Sequence, residues 1–245
     1  MIERLKSLFT NASKPSTGLS VDLHSHLVPG IDDGAKTMDE SIALVRSLYD
    51  IGYRKLITTP HTMAHRYPND NKTILEGLEQ LRKGVAAAGI AIELEAASEY
   101  YLDEHFLDAI IRKGLLTFGE NEVLFEMSYI TPPPNLDSII FEMTASGYVP
   151  VLAHPERYLF FHDQFERYRD LKDRGVRFQV NINSLGGYYS KPVQKTARRL
   201  MQEGMIDYLG SDTHHMRHID ALKKTLQSGV IARVEARNRL RNALL

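Results

Sequence analysis

The sequence predicts an α/β chain in one domain, built on a parallel sheet that is either open or closed into a β/α barrel. Three observations predict it. Short apolar runs rich in β-branched residues alternate with longer segments of helical period along most of the chain. Gly52, Gly89, Gly114, Gly147, Gly175 and Gly204 each follow a helical segment, where a residue able to take positive φ can close a helix. The 245 residues, 43% hydrophobic and 25% charged, suffice for one core of barrel size, so residues 19–245 read as a single domain.

Residues 1–18 form an N-terminal segment. Ile2, Leu5, Leu8 and Phe9 among Arg4 and Lys6 read as a short amphipathic turn that can rest on a membrane surface, on a partner or on its own domain. A polar link leads to seven strands, expected at 19–23, 55–59, 91–97, 123–127, 149–153, 177–182 and 206–210. Helices are expected at 38–51, 72–88, 103–113, 136–146, 164–174 and 192–203, with a charged helical region from Ile219 onward. Thr37 can cap the first helix, with Glu40 three residues on completing a capping box.

The balance of 30 basic and 31 acidic residues gives no broad basic surface of the kind a nucleic-acid partner needs. The absence of cysteine excludes disulfides, zinc–thiolate sites and any thiolate nucleophile, so the chemistry must use oxygen and nitrogen ligands. No apolar run reaches the roughly 18 residues that span a bilayer, and no secretory signal opens the chain. A cytoplasmic protein without a transmembrane segment is expected.

The strongest signal is the position of the potential ligands. The expected strands end in His24-Ser25-His26, Pro60-His61, Ser98-Glu99, Glu126, His154-Pro155-Glu156, Asn181 with Asn183, and Asp212-Thr213-His214. In a parallel barrel those ends share one face, where active sites are built. His24 and His26 alternate with Ser25, so an extended backbone points both imidazoles the same way, toward one metal ion. Asp212 and His214 repeat that spacing. Glu99 and Glu126 each close an apolar strand, and a carboxylate withdrawn from water needs a cation or hydrogen-bond donors. Asp33 sits in an Asp-Asp-Gly stretch that also reads as a plain turn. Taken singly, His61 and His154 fit hydrogen-bonded structural histidines as well as ligands.

Taken in order, these residues resemble the polymerase-and-histidinol-phosphatase (PHP) superfamily, whose pattern of HxH, isolated acid, His, Glu, a further ligand, His and final DxH spans Asp22 to His214 here. The run His24-Ser25-His26-Leu27-Val28-Pro29-Gly30-Ile31-Asp32-Asp33-Gly34-Ala35, with Thr59-Pro60-His61 and Ala153-His154-Pro155-Glu156-Arg157-Tyr158, is similar to bacterial protein-tyrosine phosphatases of capsule and exopolysaccharide operons. The resemblance implies a distorted seven-stranded β/α barrel holding three divalent ions, manganese before iron or zinc. It assigns His24, His26, Glu99 and Asp212 to the first ion, Glu99, Glu126 and His154 to the second, and Asp33, His61 and His214 to the third. It also implies hydrolysis of phosphotyrosine by a metal-activated hydroxide, on a protein such as a bacterial tyrosine kinase of polysaccharide assembly.

Arg157 is the expected phosphate clamp, since a guanidinium engages phosphoryl oxygens through two parallel hydrogen bonds. Arg217 is a second candidate for that task, and His215 a candidate proton shuttle. The loops 129–134 and 186–189 fall on the same rim and can shape a phosphotyrosine entrance. Two competing readings remain: another PHP phosphoesterase, such as a histidinol phosphatase, and a metal-holding barrel that only binds a kinase or a polysaccharide assembly complex. An amidohydrolase shares the HxH start and late Asp, but its carboxylated lysine has no counterpart here.

Overall fold

The computed structural model describes residues 19–245; the amphipathic turn expected near the N-terminus lies outside them. In chain order the elements are β1 (Val21–Leu23), α1 (Met38–Ile51), β2 (Lys55–Thr58), β3 (His61–Thr62), α2 (Asn71–Ala87), β4 (Glu93–Ala96), β5 (Glu99–Tyr101), α3 (Phe106–Ile111) and β6 (Glu122–Glu126). There follow α4 (Leu136–Ala145), β7 (Val149–Ala153), α5 (Glu166–Asp173), β8 (Arg177–Asn181), α6 (Ile182–Gly186), α7 (Lys191–Gln202), β9 (Tyr208–Gly210), α8 (Met216–Gln227) and α9 (Val230–Glu235). No helix among the described residues is long and apolar enough to cross a membrane.

All paired strands are parallel, in two sheets ordered β1-β2-β4 and β3-β5-β6-β7-β8-β9. The distorted seven-stranded barrel that the resemblance implies is not what the hydrogen bonding gives, since nine strands among the described residues pair in two separate sheets. The strands expected at 55–59 and 91–97 stop at Thr58 and Ala96, and each is followed by a further short strand, β3 and β5. Pro60 has no N–H to donate, so the ladder cannot run through it, and β2 stops before β3 begins. The neighbouring strand breaks alongside, with Ala97 N donating to Thr58 O at 2.9 Å and Glu99 N to Pro60 O at 3.1 Å. Glu99 therefore opens β5 rather than closing the strand before it.

The other join, between β1 and β9, is stitched mainly by side chains. The Asp22 carboxylate accepts from Ser211 N at 2.8 Å and Ser211 Oγ at 2.7 Å. Asn242 accepts from Leu209 N and donates to the carbonyls of Leu209 and Val21. Backbone bonds resume beyond the strands, where Asp212 N donates to His24 O and His26 N to Thr213 O.

Strand residues alternate between two apolar clusters. Leu23, Ile57, Leu124, Val151 and Tyr208 share an inner cluster, while Leu56, Phe125, Leu152 and Phe178 pack outward against the helices. Both faces are covered, which is why the strands read as continuous apolar runs. At α1 Thr37 Oγ1 accepts from Glu40 N, but the Glu40 carboxylate accepts from Lys36 N, one residue before the expected partner. The expected helix 103–113 shortens to α3 because the Asp103 carboxylate turns to accept from Ala64 N and His105 N. Positive φ falls on Lys113, not Gly114, and the C-terminal helical region starts at Met216 and breaks at Gly229.

Candidate metal centre

Strand borders and the loops beside them, with His61 and Glu99 opening β3 and β5, bring all nine expected ligands into one connected cluster. Four overlapping groups have ligand atoms within 4.8 Å of one another: His24, His26 and Asp212; His24, Glu99 and His154; His61, Glu99 and Glu126; and His26, Asp33, His61 and His214. Glu99, almost fully buried, is the hub. Its carboxylate lies 3.1 Å from His24 Nε2, 3.3 Å from His26 Nε2, 3.2 Å from His61 Nδ1 and 2.9 Å from His154 Nε2. Asp33 Oδ1 faces His61 Nε2 and His214 Nε2, each at 3.4 Å. The grouping cuts across the implied division into three sets, since His61 lies 3.0 Å from Glu126 as well as beside Asp33, and His26 stacks on His214.

The backbone bends sharply to make this convergence. His24, His154 and Asp212 have φ of 92°, 35° and 49°, in the left-handed region that side chains other than glycine and asparagine avoid. The extended backbone expected for the first histidine pair is therefore not what aims it. Glycine serves the approach of the loops. A Cβ at Gly34 would lie 2.2 Å from His26 O, and one at Gly210 would lie 2.1 Å from Leu23 O.

A surrounding shell fixes the imidazole rings. His24 Nδ1 donates to Gln179 Oε1 at 2.7 Å, His26 Nδ1 to Asp32 Oδ2 at 2.8 Å, and His214 Nδ1 to the Asp212 carbonyl at 3.1 Å. Each bond places the proton on Nδ1 and leaves the Nε2 lone pair facing the cluster, as a histidine that binds metal through Nε2 requires. Gln179 Nε2 donates to Asn181 Oδ1, and Asn181 Nδ2 to Asp212 Oδ2. One buried amide chain thus ties His24 to Asp212. Gln179 lies in mid-strand, away from the strand ends that mark the other site residues, and Asp32 is indistinguishable in sequence from a plain turn residue.

The donor set fits divalent ions. Four carboxylates and five imidazoles in a pocket without thiols suit hard or borderline metals. His26 Nε2 and His61 Nδ1 are buried without a hydrogen-bond partner among the described residues, although each points at carboxylate oxygens. Without metal, protons take over the balancing of charge. Burial opposes charge on His61, but the Glu99, Asp33 and Glu126 carboxylates outweigh it and push its pKa up to about 10. Burial likewise works against ionised Glu99 and Asp212, yet the facing imidazoles hold both well below the ordinary carboxylate range.

The cluster lies at the floor of a cavity of about 840 Å³ whose walls include Tyr67, Tyr101, Tyr129, Ile130 and Tyr189. Arg157 stands over the floor, its NH1 donating to Asp212 Oδ2 at 3.2 Å. Its guanidinium is held between the rings of Tyr129 and Tyr189, 4.7 Å and 4.5 Å from their centroids. The two rim loops thus do meet over the site, and Tyr129 and Tyr189, expected only to shape the entrance, position the clamp candidate. His215 also lines the cavity, its ring 4.0 Å from that of His218 and its pKa held down by burial and by Arg217. Arg217 does not line this cavity. It lies in a separate depression with Tyr188, Asp220 and Lys224, because the first turn of α8 carries its side chain past the mouth, so the structure removes it as a clamp at the cluster.

Comparison with known proteins places this geometry. Residues 20–233 match the family described as capsular polysaccharide synthesis, CpsB/CapC. Among curated relatives, the tyrosine-protein phosphatase YwqE of Bacillus subtilis is 26% identical, covering 80% of this chain and 78% of that protein. Tyrosine-protein phosphatase CpsB of Streptococcus pneumoniae is 27% identical, covering 80% and 83%. A solved structure from a study of these two proteins, described there as unique metal-dependent tyrosine phosphatases, superposes with a TM-score of 0.77 at 25% identity, covering 85% of this chain and 86% of the other. A histidinol phosphate phosphatase from Lactococcus lactis shares the fold with a TM-score of 0.51 at 13% identity, covering 85% and 93%. The match across nearly all of the described chain, with the ligand cluster intact, means that the chain belongs to the CpsB/CapC family of capsular polysaccharide synthesis.

Proposed function

We propose that this chain is a metal-dependent protein-tyrosine phosphatase of capsular or exopolysaccharide synthesis, acting on a phosphotyrosine-bearing protein such as a cytoplasmic tyrosine kinase of polysaccharide assembly. The carrying observation is the nine-residue cluster under an aromatic-walled cavity, with one clamped arginine above it. In this reading residues 19–245 form one domain, and the two sheets are the halves of one distorted barrel of the PHP type.

Three divalent ions, manganese first among the candidates, would be held by His24, His26 and Asp212, by Glu126 and His154, and by Asp33, His61 and His214, with Glu99 shared. When bound, such ions supply Lewis-acid charge toward phosphoryl oxygens and lower the pKa of water. The remaining work falls to the chain. Arg157 stays cationic despite its burial, with the Asp212 carboxylate beside it, and its fork can grip two phosphoryl oxygens. Tyr129 and Tyr189 keep that fork from swinging away and line the cavity that a phenyl ring would enter. The leaving tyrosinate has a pKa of about 10, so the departing oxygen needs little proton donation. His215, neutral at the rim, can hold or pass the proton it eventually takes up.

Replacing His154 with alanine tests the assignment. Loss of an ion that contributes several kcal/mol lowers turnover on a phosphotyrosyl peptide by at least ~100-fold, with circular dichroism unchanged. Near-normal turnover would contradict the role of His154.

A further inference from the structure

The depression that holds Arg217 is part of a longer feature that the phosphatase reading leaves unused. It begins beside the cavity mouth: Tyr188 lines the depression and packs edge-on against His218, 5.2 Å away, and His218 lines the main cavity. It continues past Gly187, where a Cβ would lie 2.9 Å from Gln194 Nε2, into a groove along the exposed side of α7. The depression encloses about 360 Å³ and the groove about 450 Å³. Lys191, Lys195, Arg198 and Arg199 line the groove, and Arg217 and Lys224 the depression.

All six cations are exposed, and none makes an ion pair with another described residue. Two carboxylates lie among them. Glu203 is engaged by Arg169 at 3.0 Å, which leaves Asp220 as the counterweight. A chain with a net charge of -1 therefore gathers six cations around two neighbouring depressions, the first of them beside its active-site mouth. The opposite rim is different, for it sets Asp103 and Glu104 against Arg66 and the imidazole of His65.

We propose that this basic track is the docking surface for anionic side chains on the same peptide that carries the scissile phosphotyrosine: acidic residues, or further phosphotyrosines, a few positions away. The inference rests on the phosphatase reading and adds substrate selection to it. An extended peptide advances about 3.3 Å per residue, and the stretch from Lys191 to Lys195 and Arg198 runs about 10 Å along α7 at 1.5 Å per residue. Three or so flanking residues can therefore lie against the groove while the phosphotyrosine occupies the cavity. Each flanking phosphate brings nearly two negative charges and three acceptor oxygens. A concave track joined to the mouth suits a peptide better than it suits a flat lipid surface.

The test uses metal-loaded protein and three substrates: a phosphotyrosyl peptide with Asp and Glu on its flanks, the same peptide with Asn and Gln, and p-nitrophenyl phosphate. Wild-type protein should show a lower KM for the acidic peptide, with a preference that shrinks as salt is added. Lys195→Glu combined with Lys224→Glu should raise the KM of the acidic peptide roughly tenfold, leaving kcat and both other substrates unchanged. Equal KM values for the two peptides in wild-type protein would overturn the inference while leaving the phosphatase reading intact. So would a variant that loses binding to phosphatidylglycerol vesicles with its peptide KM values unmoved, since the track would then be a membrane surface. No phosphate release from any of the three would sink the phosphatase reading and this inference with it.

Discussion

The middle of the strands and their C-terminal ends obey opposite rules. Between the strands, Leu23, Ile57, Leu124, Val151 and Tyr208 fill the interior with buried side chains on regular backbone. A few residues further on, four carboxylates and five imidazoles crowd together. Three of the five non-glycine residues with positive φ among the described residues, His24, His154 and Asp212, belong to that crowd. The first region stabilises the fold; the second spends conformational and desolvation energy on holding charges that only cations can balance. A fold can carry such a site because its packed middle fixes where the strand ends lie.

Substitutions can separate the two regions. Leu124→Ala, in the interior, should cost about 2–5 kcal/mol of unfolding free energy in the metal-free protein, measured by urea titration, while phosphatase turnover per folded molecule stays near normal. An equal loss of turnover would mean that packing and site are not separable. Gln179→Leu, at the boundary, should leave stability less affected but weaken metal binding by ~10- to 100-fold, read by isothermal titration calorimetry, because His24 loses the acceptor that fixes its tautomer. Unchanged affinity would show that the ring holds itself.

Proton binding gives a smaller effect. The folded, metal-free protein raises the pKa of His61 from 6.5 to about 10. The stability this contributes is fully present below the unfolded value of 6.5 and is lost as pH rises through about 10. Thermal melts of stripped protein should therefore fall between those limits, and the fall should flatten when metal replaces the proton. Parallel slopes with and without metal would contradict the pairing of His61 with the cluster.

The sequence made the strand ends legible because ligand chemistry and strand position coincide in one dimension: His24, His61, Glu99, Glu126, His154 and Asp212 each stand at a strand border. The split at Pro60 could have been read from proline's missing N–H, but the matching split before Glu99 follows from its neighbour and has no local signal. Gln179, Asp32 and the seam residues Asp22 and Asn242 act through contacts across the fold, so nothing beside them in the chain marks them. Arg217 misled for the opposite reason, since closeness to His214 in sequence did not survive the turn into α8.

The central claim is that the cluster is a catalytic metal site for phosphotyrosine. Phosphate release from a phosphotyrosyl peptide should be measured on chelator-stripped protein before and after manganese is added, with a phosphoserine peptide and histidinol phosphate alongside. The account predicts negligible release without metal and restored release confined to phosphotyrosine. Release that is indifferent to metal, or a preference for histidinol phosphate, would contradict it.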